Sequence, residues 1–197
     1  MAHPNESPHL GFMLLHGVRQ DIIIDGIQEV VNDKINIIIE EDSAPFVGAA
    51  IEWAIPAAVG IYIFKSYFDG FLKEAGKEHY HLLKKGIRKI IHSVYKYVIP
   101  HIKLIGTKGK IDKKIYTTAL SISSVSSNGK NYKLIFLDGK DEEYYLIASE
   151  KFLDMLEKEY SGNITHIDMK EIYGVIYFIY NEEKNDVMPF NPKKNHS

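Results

Sequence analysis

The stretch APFVGAAIEWAIPAAVGIYIF, residues 44–64, decides how the chain is read, because its 21 residues hold a single charged side chain, Glu52. As one helix it would span roughly 30 Å, the thickness of a bilayer's hydrocarbon core, so length alone permits a membrane span. Three features oppose that reading: Glu52 near the middle, Pro56 inside the tract, and a high content of Ala and Gly. Pro56 also removes the amide that would bond the carbonyl of Glu52, which predicts a kink. Ala50, Ala54 and Ala58 recur at four-residue spacing and would let another helix approach closely. The tract is therefore expected to be a bent, buried helix, with a membrane-associated segment as its rival.

Downstream, Phe68, Leu72, Ala75, His79, Leu83, Ile87, Ile90, Val94 and Val98 follow a 3.6-residue period that Pro100 ends. The opposite side of that helix carries Lys77, His81, Lys84, Arg88, His92 and Lys96, with Lys85 and Lys89 beside them. Upstream, residues 20–34 have helical spacing, and the β-branched run 35–39 predicts a strand that Glu40, Glu41, Asp42 and Ser43 bring to an end. Beyond the basic loop around Lys103, Lys108, Lys110, Lys113 and Lys114, residues 116–125, 132–137 and 144–148 read as a three-stranded antiparallel meander. Asn128-Gly129 and Asp138-Gly139 supply its turns. Ser149 is placed to cap a short helix over 150–160, residues 173–180 read as a last strand, and 181–197 as a polar tail.

The expected fold is α+β: a long bent helical region packed on a small antiparallel sheet, a β-meander. Its parts are an N-terminal helix and strand (1–42), the helical region (43–100), the meander with one helix (101–180) and the tail (181–197).

The composition is that of a globular protein: 197 residues, 45% hydrophobic, 25% charged, with a formal net charge of -2. That small net charge conceals blocks of -7 over residues 1–64, +9 over 65–114 and -4 over 115–197. The basic block either pairs with the acidic flanks on folding or faces an anionic partner. The absence of cysteine excludes disulfides and thiol chemistry and fits a cytoplasmic location. The first residues carry no early Lys or Arg, so no secretory signal is expected.

Motifs for catalysis are missing: no Gly-x-Ser-x-Gly elbow, no Gly-x-Gly-x-x-Gly and no Gly-Lys-Ser/Thr occurs. His79 and His81 would point to different sides of a helix, and the Glu78-x-x-His81 element has no second copy, so neither a metal nor a cofactor is called for. With an isoelectric point near 6.5 and aromatics on apolar faces, nucleic acid is a poor partner. The function expected is binding or regulation without catalysis, through Lys77, His81, Lys84, Lys85, Arg88 and Lys89, with Glu52 and Trp53 from the apolar tract. The partner would be another protein or a second copy of the chain. The rivals are association with an anionic membrane surface through 44–64, and an enzyme whose groups are distant in sequence.

Overall fold

The computed structural model describes residues 7–42, 57–101, 115–164 and 169–192. Its strands form one mixed sheet of seven in the order β2-β1-β3-β4-β5-β6-β7. The elements run β1 (Leu10–Leu15), α1 (Asp21–Val30), β2 (Ile37–Asp42), β3 (Val59–Ile63), α2 (Leu72–Tyr97), β4 (Tyr116–Val125), β5 (Asn131–Leu137), α3 (Glu142–Tyr160), β6 (Val175–Asn181) and β7 (Asp186–Phe190). The neighbours β1/β2, β3/β4 and β5/β6 are parallel, and each pair is bridged by one helix, α1, α2 or α3. Parallel neighbours need such a crossover because a tight turn cannot return the chain in the same direction. Antiparallel seams β1/β3 and β4/β5 join the three units, and β7 closes antiparallel on β6.

This mixed sheet replaces the small meander expected from the sequence, and four segments account for the difference. Residues 59–63, expected in the bent helix, are instead the strand β3 between β1 and β4. There Val59, Ile61 and Ile63 enter the main core while Gly60 and Tyr62 turn to the other face, the period of two that a strand imposes. Residues 144–148, expected as the third meander strand, lie inside α3, because Asp141 caps the helix by accepting from the Tyr144 amide at 2.9 Å. Tyr144, Tyr145, Ala148, Phe152 and Leu156 then fall on one buried stripe. Residues 186–190, expected in the tail, form the edge strand β7, and residues 10–15, to which no element was given, form β1. The expectations for residues 43–56, including Glu52, Trp53 and Pro56, and for the lysines of 102–114 lie outside the described residues. No helix among the described residues is long and apolar enough to cross a membrane.

Leu10, Phe12, Leu14, Val59, Ile61, Ile63, Leu134, Phe136, Ile176 and Phe178 share one core with Ile23 of α1, Ile87, Ile90 and Val94 of α2, and Phe152 and Leu156 of α3. The helices thus cover one face of the sheet, a two-layer arrangement. At the α1/α2 crossing the backbones touch: a Cβ on Gly26 would lie 2.5 Å from the Gly86 carbonyl oxygen, and one on Gly86 would lie 2.5 Å from that of Gly26. A wider π-type turn, Tyr67–Phe71, leads into α2, and at Gly76 the helix breaks with φ 75° and ψ -179°. That conformation is open to glycine and strained for other residues. His79 then enters the core, where its Nε2–H donates to the Val30 carbonyl at 2.9 Å and its Nδ1 accepts from the Tyr67 hydroxyl at 3.1 Å. Burial lowers its pKa, and the imidazole works as a neutral tie between α2 and α1.

Candidate functional site

The basic stripe of α2 meets acidic residues of both neighbouring helices. Lys84 bonds Asp154, Arg88 bonds Glu150, and His92 approaches Glu142 at 2.8 Å, all on α3. On the other side Lys89 bonds Glu29 of α1, and Lys85 reaches the same carboxylate at 2.8 Å. Those two ammonium groups hold the Glu29 carboxyl below its usual range. His81 is exposed on α2, and Lys77 belongs to the same helix. Of the residues singled out for binding, the structure therefore brings Lys84, Lys85, Arg88 and Lys89 together in one band, with carboxylates on both sides. Glu52 and Trp53 lie outside the described residues.

The other face of the sheet, which α1, α2 and α3 leave alone, holds a different arrangement. One register row crosses all seven strands on that face: Ile38, Gly11, Tyr62, Ser123, Lys133, Tyr177 and Phe190. Its far half is apolar, where Ile135, Val175 and Tyr177 are buried together with Tyr116. Lys133, fifth in the row, has 3% of its surface exposed, and burial pushes its ammonium down to about 8. Tyr62 stands beside Ser123 in the row. Burial raises the Tyr62 pKa, the Ser123 side chain pulls it partway back, and the charge of Glu40 adds to the rise.

The near half of that face opens into a cavity of about 290 Å³ between β2, β1 and β3. Its walls are Pro8, Gly11, Phe12, Met13, Ile38 and Phe64, with two polar groups, Glu40 and Tyr62. Glycine at 11 leaves room for one wall, since a Cβ there would lie 3.0 Å from the Phe64 ring. A second cavity of about 840 Å³ lies at the start of α1 and the end of α2, but Arg19 and Asp21 in its lining bond each other. Among the described residues, no cluster of His, Asp or Glu could hold a metal ion.

Sequence reasoning missed this near-side cavity because Glu40 was read as ending a strand, whereas β2 runs on to Asp42 and places Glu40 on the same face as Ile38. The alternation of Ile38 with Glu40, and of Tyr62 with Phe64, is the signal that marks those side chains as neighbours across β1. No protein-family model, curated protein or solved structure matches the chain.

Proposed function

We propose that the chain is a binding protein that takes up a small ligand in the cavity between β2, β1 and β3, with the helical layer serving as its scaffold. The observation that carries this reading is the lining: six apolar or glycine positions and two polar groups around about 290 Å³. Small-molecule sites have this composition, an apolar wall that supplies affinity and a few polar groups that set orientation. The rigid sheet beneath supports the reading, because sites built on strands hold their geometry better than sites on loops. The basic band of α2 fits a partner surface less well, since its cations already bond carboxylates of α1 and α3.

A screen of small aromatic and aliphatic fragments by methyl and aromatic NMR tests the proposal. Binders should shift the resonances of Met13, Ile38, Tyr62 and Phe64 together. Replacing Ile38 with Trp fills the cavity from the edge strand and should abolish those shifts while the melting temperature stays within a few degrees. The reading fails if no fragment moves those four residues, or if the filled variant responds like the parent.

A further inference from the structure

The two polar groups of the cavity are not alike, and their difference points to a ligand class. Glu40 is exposed at the mouth and forms no ion pair among the described residues, whereas Glu41 of the same strand faces His16 at 3.3 Å. Beside Glu40, Tyr62 and Phe64 present two rings with centroids 6.4 Å apart and planes inclined by 30°. An aromatic face carries negative electrostatic potential, and a cation desolvated against it gains attraction that a neutral group of the same shape does not. A carboxylate at the rim of such a pair adds a full negative charge of the same sign preference. The carboxylate therefore favours positive charge, the two rings add to that preference for a cation that meets their faces, and Met13 adds a polarisable thioether to the wall.

We propose that the ligand is a small organic cation, an alkylammonium group held against Tyr62 and Phe64 with Glu40 as its counter-ion. This rests on the reading of the cavity as a binding site. The apolar body of the ligand lies against Met13 and Ile38, beside the Phe64 ring that covers Gly11, and the ammonium end stays toward the mouth. Tyr62 stands beside Ser123 on β4 and the Phe64 ring packs over Gly11, so both rings rest on the sheet before the ligand arrives. Preorganisation of this kind lowers the entropy lost on binding.

Choline and its neutral carbon isostere, in which a tert-butyl group replaces the trimethylammonium, give the test, because they share shape and differ in charge. Isothermal titration of the full chain should show choline binding about tenfold more tightly than the isostere or better. Glu40→Gln should erase most of that gap while leaving the isostere unchanged, and Phe64→Leu should weaken choline more than the isostere. Both variants are read against their own circular dichroism spectra, and Glu40, being exposed, can be changed without disturbing the core. Equal affinity of the two probes overturns the cation and leaves the cavity standing. Binding of choline that survives Glu40→Gln and Phe64→Leu unchanged places it elsewhere and overturns the proposal. Failure of both probes overturns the cation as well, and the fragment shifts on Met13 and Ile38 then judge the cavity separately.

Discussion

Lys133 lies on β5, on the face of the sheet away from α1, α2 and α3, opposite Ser123 on β4 and Tyr177 on β6, with its ammonium pushed down by burial to about 8. An unfolded lysine holds its proton to about pH 10.4, so between pH 8 and that value the unfolded chain binds one more proton than the folded one. Stability contributed at this site therefore rises with pH across the window and is lowest below it. The effect should reach about 2 kcal/mol between pH 8 and pH 10, measured as the difference between the parent and Lys133→Met in urea unfolding. The comparison with Lys133→Met cancels the buried tyrosines, Tyr67, Tyr80, Tyr145 and Tyr160, whose raised pKa values work in the opposite direction at higher pH. A difference that stays flat from pH 7 to pH 10 would remove the burial argument for this lysine.

The crossing of α1 and α2 depends on two residues that carry no side chain. A Cβ on Gly26 would lie 2.3 Å from Ile90 Cγ1 and 2.5 Å from backbone oxygen, so neither helix can yield without moving the other. Gly26→Ala and Gly86→Ala should each cost about 3 kcal/mol, the upper end for overpacking. Gly70→Ala, with open space around its Cβ in a helical turn, should instead raise stability by up to about 1 kcal/mol in the same denaturation series. Beyond the break at Gly76, which the periodicity did not foretell, α2 could be read from the sequence because its apolar stripe keeps a 3.6-residue period from His79 to Val94, and the β4/β5 hairpin because Asn128-Gly129 has the turn chemistry. Strand β3 could not, since it lies between β1 and β4 with both faces lined, and its alternation of Val59, Ile61 and Ile63 disappears in a continuous apolar run. In α3 the β-prone run from Tyr144 to Ala148 masked a helix whose decisive residue, Asp141, stands just before it. Glu40 and Tyr62 belong to strands on either side of β1, with Phe64 directly after β3, a pairing that local pattern does not encode.

At the scale of the molecule, the alternation of charge along the chain is resolved by packing order. The basic helix α2 lies between α1 and α3, and each supplies carboxylates to it. Single exposed ion pairs contribute little, about 1 kcal/mol or less, but reversal of three cations sets like charges against each other. Lys84→Glu, Arg88→Glu and Lys89→Glu combined should lower stability by about 2 kcal/mol at low salt, with much of the loss recovered at high salt, as followed by thermal melting. A triple variant that melts like the parent at low salt would show that these pairs hold nothing together and would return the stripe to solvent and to an external partner.

The order of strands has a further consequence for synthesis. β1 is flanked by β2 on one side and β3 on the other, and both follow it in the chain. As the polypeptide leaves the ribosome, β1, α1 and β2 emerge as a unit whose inner edge stays open until residues through Ile63 have appeared. During that interval an apolar strand offers unpaired amides and carbonyls to any chain nearby. The nascent protein is thus most vulnerable to aggregation before its third strand arrives, and translation speed through residues 43–63 sets how long that exposure lasts.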